Sequence, residues 1–281
     1  MGGIRISFTK ISLKIFQIFN FVFIVGFLLC FAQKDPLSQI YLNYNESAGF
    51  DHWLGYARNY HRHFRQFYHS SDVVSFLEIG VQYGGSTRIW SQYFGKRLNY
   101  TGLDINPTCK RYEDLSKGIR IHIGSQLSKN DLDYVCRTFG PFDIIVDDGG
   151  HHIEMWITSF NSLFTCMKDS GVYVIEDLHY AYIARGRSGV LYQGKDIYGH
   201  IADYQRRMVS YWTREGMRPE GHPSSFTKDP FISHLVSVHV YDSIVFFKYQ
   251  EKWRPEKRVQ RGILSNTSSS KRSWWPLWFL G

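Results

Sequence analysis

The sequence predicts an α/β protein: a doubly wound, mostly parallel sheet closed by an antiparallel hairpin. Three observations carry this. Short apolar runs alternate with helix-length amphipathic segments through the middle of the chain, the pattern of strands covered on both faces. One such run, Ile144, Ile145 and Val146, stops abruptly at Asp147, Asp148, Gly149, Gly150, His151 and His152. The final apolar stretch changes period: Val236, Val238 and Val240 alternate, then Ile244 and Phe246 follow a turn at Tyr241, Asp242 and Ser243. That alternation reads as a hairpin.

Composition narrows the field. With 43% hydrophobic residues the chain can bury a core, which sets disorder aside. The formal charge is +8, but three positive charges fall on residues 1–32 and a net five on residues 251–281. The body between them is neutral, which argues against a nucleic-acid partner. Of the four cysteines, Cys30 lies in an apolar segment, and no C-x-x-C pair occurs. Cys109, Cys136 and Cys166 permit at most one bridge, with buried free thiols an equal alternative.

In chain order, Arg5, Lys10 and Lys14 precede an apolar run over residues 15–32. This reads as a signal peptide or an uncleaved signal-anchor. Either places the body in the lumen of the secretory pathway (endoplasmic reticulum or Golgi, tethered by a single pass) or outside the cell. Three N-x-S/T sequons, at Asn45, Asn99 and Asn266, accord with that route, and Asn99 leads into an expected strand. Trp53, Tyr56, Tyr60, Phe64 and Phe67 recur at helical spacing. His61 and His63 interleave with them; two positions apart on a helix, they diverge, so a solvated face is the better reading than a metal pair.

A strand ending at Glu78 and Ile79 then meets a glycine turn, Gly80 to Gly84 and Gly85, and a helix opening with Ser86. The helix N-terminus offers free N–H groups, and glycines admit close backbone approach. Gln82 breaks the dinucleotide G-x-G-x-x-G spacing. An acid at Glu78 repels a pyrophosphate but suits a sulfonium and its amino group. Asp104 ends the next strand, where an acid meets ribose hydroxyls. Residues 119–123 form a third strand ending at Ser125 and Gln126, placed for an adenine edge or serving as an ordinary polar loop. Together these favour S-adenosylmethionine over a nicotinamide dinucleotide, with Asp147 beside them on the cofactor side. A short helix over residues 131–139, a helix over residues 156–167 and a strand ending at Glu176, Asp177 and His179 follow. Ligands bind outside the carboxyl ends of such strands. If these two strands are neighbours, four carboxylates converge on one rim, more negative charge than is tolerable without a cation. Residues 180–230 read as an insertion or lid carrying one helix, and residues 251–281 as a basic, Ser-rich, Trp-rich tail. The body is expected over residues 33–250, with a Rossmann-like sheet of seven strands.

The order of motifs resembles the class I S-adenosylmethionine-dependent methyltransferases, specifically the group of mycinamicin-type macrolide-sugar O-methyltransferases and cephalosporin hydroxylase-like proteins. The carrying stretches are FLEIGV with GGS, GLDI, GSQ, FDIIVDDGGH and GVYVIEDLH, within residues 50–250. The resemblance implies a divalent cation, usually Mg2+, held by Asp148, Glu176 and Asp177, with His151 as catalytic base. Gly150 stands where that group often has serine, and His152 where an apolar residue is usual. The acceptor implied is a hydroxyl of a sugar, glycan or small hydroxylated molecule. Membrane anchoring would come from the N-terminal segment, and a homo-oligomer is compatible. Two alternatives stand beside this: a cephalosporin hydroxylase-type oxygenase, and a tethered non-enzyme that keeps the fold.

Overall fold

The computed structural model describes residues 35–183, 189–210 and 229–252. The expected N-terminal targeting segment, most of the tail with Asn266, and much of the expected lid lie outside them. Among the described residues no helix is long and apolar enough to cross a membrane.

Two helices lead in. α1 (Pro36–Asn43) is capped by Asp35, whose carboxylate accepts from the Ser38 N–H at 2.9 Å. α2 (Leu54–Tyr68) buries Tyr56, Ala57, Tyr60 and Phe64 on one face. Trp53, expected to open that face, instead precedes the helix and is 60% exposed. Then come β1 (Val74–Ile79), α3 (Gly85–Phe94), β2 (Leu98–Asp104), β3 (Ile119–Ile123), α4 (Lys129–Phe139), β4 (Phe142–Asp147) and α5 (Ile153–Leu163). β5 (Met167–Ile175), α6 (Tyr180–Ile183), α7 (Ile197–Ser210), α8 (Pro230–Ser233), β6 (Leu235–Tyr241) and β7 (Ile244–Tyr249) complete the order.

The seven strands form one sheet in the order β3-β2-β1-β4-β5-β7-β6. The first five are parallel, and β7 runs antiparallel to both β5 and β6. This is the expected doubly wound sheet with its closing hairpin. Strand alternation divides the core into two layers. Val74, Phe76, Ile144, Val146, Val172 and Val174 pack with α1, α2 and α3. Leu77, Ile79, Ile145, Tyr173 and Ile175 pack with α4, α5 and α7.

Some boundaries differ from expectation. The helix after β4 covers residues 153–163 because Met167 already pairs with Phe142 as the start of β5. α7 packs on α5 and α8: its Tyr204 meets Phe160 at 4.8 Å and Phe231 at 4.7 Å. β6 is an edge strand, so Val240 is 42% exposed despite its alternating register. Among the described residues Cys136 and Cys166 form a bridge, and Cys109 is buried and free.

His63 departs from the solvated reading. Its ring stacks on Phe246 at 4.2 Å, and its Nε2 lies 3.0 Å from the Tyr241 hydroxyl. His61 likewise pairs with the Tyr93 hydroxyl at 2.7 Å. Burial first, then the neighbouring His239, Arg62 and Lys248, push the His63 pKa down to about 4. In the unfolded chain it titrates near ~6.5. The unfolded state therefore binds the extra proton between these values, and stability falls as pH drops through that window. His63→Phe keeps the stack and removes the proton site. Denaturant unfolding between pH 7 and pH 4 should show a shallower acid loss of stability in the variant than in the wild type.

Candidate active site

The carboxyl ends of β1, β2, β4 and β5 open into a cleft of about 610 Å³, a volume in the range of small-molecule sites. Its floor is the turn after β1. Gly80 has φ +93°, and a Cβ there would sit 2.1 Å from the Asp148 carbonyl oxygen. Only glycine lets the end of β1 lie this close to the end of β4. Gly84, φ +75°, precedes α3 under the Tyr112 ring and does not line the cleft.

Of the residues expected at the cofactor, Gly80, Asp104, Ser125 and Gln126 line the cleft. Asp104 ties the turn together, accepting from the N–H groups of Val81 at 2.8 Å and Gln82 at 3.0 Å. Gln126 is buried and bridges two segments: its Nε2 donates to Asp147 at 3.1 Å, and its Oε1 accepts from the Gly150 N–H at 2.7 Å.

Three expected cofactor residues face elsewhere. Glu78 shares a strand face with Val74 and Phe76, so its carboxylate points into the layer under α3. There it accepts from Ser86 at 2.6 Å, Trp90 at 2.9 Å and the Tyr100 hydroxyl, with no exposure. Burial raises its pKa against the pull of those donors. Ser86 is spent on Glu78. Asp147 shares a face with Ile145 and points beneath α5, accepting from the Ser159 and Tyr173 hydroxyls and from Gln126. Burial pushes its pKa up to about 6. Both carboxylates stiffen the walls of the cleft from behind.

The other end of the cleft is the acidic rim. β4 and β5 are adjacent in parallel register, Asp147 beside Ile175, which brings Asp148, Glu176 and Asp177 to one crest. The expected ligands do not form one closed triad; the described residues give two overlapping donor sets. Asp148 joins Glu176 and His52 in one, and His151 and Asp177 in the other. His151 Nε2 lies 4.0 Å from Asp148 Oδ1. His151 and Asp177 both adopt positive φ, 54° and 57°, a costly conformation for residues with a Cβ that concentrates at functional positions. The other two histidines stay outside both sets: His152 is exposed, and His179 pairs with Ser243 Oγ at 2.6 Å.

Three residues at this rim escape a reading by motif. His52, just before α2, is sandwiched with Nε2 3.6 Å from Asp148 and Nδ1 3.4 Å from Glu176. Tyr56 donates its hydroxyl to Asp177 at 2.8 Å, and Tyr60 donates to Glu176. Their spacing of four residues repeats along one face of the lead-in and helix. That regularity was visible as an apolar face; the hydroxyls on it were the overlooked signal. Trp53 and Tyr180 wall the rim, and the Tyr180 ring stacks on His151 at 4.8 Å and 16°.

The electrostatics suit a cation. Burial, then Glu176, raises the Asp148 carboxyl well above its usual range, against the pull of His52. Burial opposes charge on His52, but Glu176, Asp148 and Glu78 outweigh it and hold its pKa at about 10. Burial lowers the His151 pKa, with Asp177 and Glu176 opposing. The Nδ1 atoms of His52 and His151 are buried without hydrogen-bond partners. Converging carboxylates and unpartnered imidazole nitrogens form a donor set that a divalent ion fits.

No family model matches the chain. A demethylmacrocin O-methyltransferase of Streptomyces fradiae is 32% identical over 227 residues, covering 78% of this chain and 54% of the relative. The mycinamicin VI 2''-O-methyltransferase of Micromonospora griseorubida is 38% identical over 161 residues, covering 54% of this chain and 38% of the relative. Among solved structures, the methyltransferase MycE from the mycinamycin biosynthetic pathway, in complex with Mg, SAH and mycinamycin VI, matches with TM-score 0.60 and 30% identity. That match covers 78% of this chain and 54% of the other. The chain thus spans only 38% to 54% of the length of these relatives. They also overturn the expected lumenal or secreted location: the relatives are O-methyltransferases of the bacteria Streptomyces and Micromonospora.

Proposed function

Because the chain belongs with the S-adenosylmethionine-dependent sugar O-methyltransferases by sequence and by fold, we propose that it methylates a hydroxyl of a sugar, glycan or small hydroxylated molecule, using S-adenosylmethionine and a divalent cation such as Mg2+. The observation that carries this is the cleft itself: one end is a glycine turn with Asp104, the other an acidic rim with His151. Gly80, Asp104, Ser125 and Gln126 would hold the methyl donor. Asp148, Glu176 and Asp177 would hold the cation, with Tyr60 and Tyr56 fixing the last two. A bound cation supplies Lewis acidity toward a coordinated hydroxyl. His151, stacked on Tyr180, would take the proton from the acceptor hydroxyl. The freed oxygen then attacks the methyl carbon in line with the sulfonium leaving group. The chain's main contribution is alignment of the two reactants, which can supply several kcal/mol of a barrier, on the order of 7–11 when ideal. Neither the hydroxylase nor the non-enzyme alternative gains support, since the relatives are O-methyltransferases.

Calorimetry of the full chain tests the reading. S-adenosylmethionine should bind at micromolar concentration, and methyl transfer to an acceptor with two neighbouring hydroxyls should need a divalent cation. Absence of cofactor binding with and without Mg2+ would overturn it.

A further inference from the structure

The turn that carries His151 is weakly specified by its own sequence. β4 ends at Asp147, and Asp148, Gly149, Gly150, His151 and His152 follow before α5 begins at Ile153. The Asp148 N–H donates to the Ile79 carbonyl at 2.9 Å, which ties the near end of the turn to β1. Two glycines come next, the residue type that loses most conformational freedom on folding. His151 then takes φ 54°, a backbone state that persists only where the surroundings impose it. Such a turn needs support from outside itself.

Gln126, from the loop after β3, supplies that support. Its Oε1 accepts from the Gly150 N–H at 2.7 Å and its Nε2 donates to the Asp147 carboxylate at 3.1 Å, so one amide braces both sides of Gly149. The residue is only 8% exposed, so water competes little for either bond. The loop behind it is fixed in turn. The Gly124 N–H donates to the Asp104 carbonyl at 3.0 Å, and the Ser125 N–H donates to the carboxylate of Asp131, in the first turn of α4, at 2.8 Å. Gly149 is the residue this brace requires: a Cβ there would lie 2.1 Å from Gln126 Oε1. A side chain at 149 and the amide in its present place exclude each other.

We propose that Gln126 is a positioning residue for His151: by holding the Gly150 N–H it sets the turn that presents the imidazole to the cleft. The amide has further hydrogen-bonding capacity, so a cofactor contact is compatible with this role but does not account for the two bonds already made. The inference rests on His151 as the base of the proposed reaction and names what places it. A shift of about 1 Å in such a group can cost a reaction about 10²-fold, which is why a brace far along the chain matters.

The test uses the full chain without cofactor, labelled on glycine, histidine and tyrosine, and two variants. Gln126→Met keeps the reach of the side chain and removes both hydrogen bonds. Gly149→Ala leaves Gln126 in the chain and displaces its amide. Nuclear magnetic resonance reads the solvent exchange of the Gly150 N–H and the contact between the His151 and Tyr180 rings, the latter assigned by its loss in His151→Gln. In both variants the N–H should exchange about 10-fold faster, the worth of one buried hydrogen bond, and the ring contact should weaken. Wild-type exchange and ring contact in either folded variant overturn the proposal. A role in packing alone would lower Tm and leave the ring contact intact, which also overturns it. So does a Gln126→Met chain that loses S-adenosylmethionine affinity while both readings stay at wild-type values, since the amide would then serve the cofactor alone. Should Gln126→Met not fold, Gly149→Ala decides by the same two readings. A wild-type chain that fails to bind S-adenosylmethionine would overturn the methyl-transfer reading and leave these outcomes standing.

Discussion

His151→Ala is expected to lower the rate of methyl transfer by about 10²–10⁴-fold, the usual worth of a positioned base, which is about 3–5 kcal/mol of barrier. S-adenosylmethionine binding should be unchanged, because none of the cofactor-side groups depends on the ring. The geometry behind this is specific. His151 is held by the turn after β4 with φ 54°, its ring stacks on Tyr180, and the side chain is 25% exposed toward the cleft. Burial depresses its pKa, so the ring is neutral and able to accept a proton at physiological pH. Its Nε2 looks across 4.0 Å at Asp148, so a hydroxyl held by a cation on Asp148 would lie within its reach. Single-turnover transfer at saturating cofactor checks the prediction. Wild-type rates in the variant would remove His151 from the proton transfer and leave the cation as the only activator of the acceptor.

Much of this architecture was legible because the chain announces it locally. Continuous apolar strands and the glycine turn fixed the parallel sheet, and Asp148 with His151 stood out by placement at a strand end. Alternation could have gone further. Glu78 lies two residues from Phe76, and Asp147 two from Ile145, so each carboxylate had to follow its strand neighbour into a covered layer. Reading all acids at a strand end as facing the cleft ignored that period. His52, Tyr56 and Tyr60 were hidden for a different reason. Their partners Asp148, Glu176 and Asp177 lie far along the chain, just past the ends of β4 and β5, and the helical period that displays their aromatic rings says nothing about where the polar atoms reach. The positive φ of His151 and Asp177 was likewise invisible, since neither residue type demands it and only the packed ends of β4 and β5 impose it.

Asp148→Asn should have an opposite effect on activity and on folding. Among the described residues Asp148 is the one common to both donor sets. Loss of a charged ligand should remove the metal-dependent rise in Tm and cut methyl transfer by about 10²–10³-fold, corresponding to the several kcal/mol that a bound cation supplies. The metal-free chain should nonetheless be as stable as the wild type or more so. Glu176 and Asp177 lie close by, and the neutral amide relieves their repulsion while keeping the shape of the side chain. Such a trade, in which a site is kept at the expense of stability, is common where charges are gathered for function. The offsetting factor is His52, 3.6 Å from Asp148, which loses one of its two carboxylate neighbours. Because Glu176 still faces the same ring at 3.4 Å, that loss is partial and the repulsion between acids decides the sign. Thermal unfolding of both proteins in chelator and in Mn2+ separates the terms. A variant that is less stable in chelator would mean that Asp148 is held chiefly as a partner of His52. One that keeps its metal-dependent shift would mean that the ion sits on Glu176 and Asp177 without it.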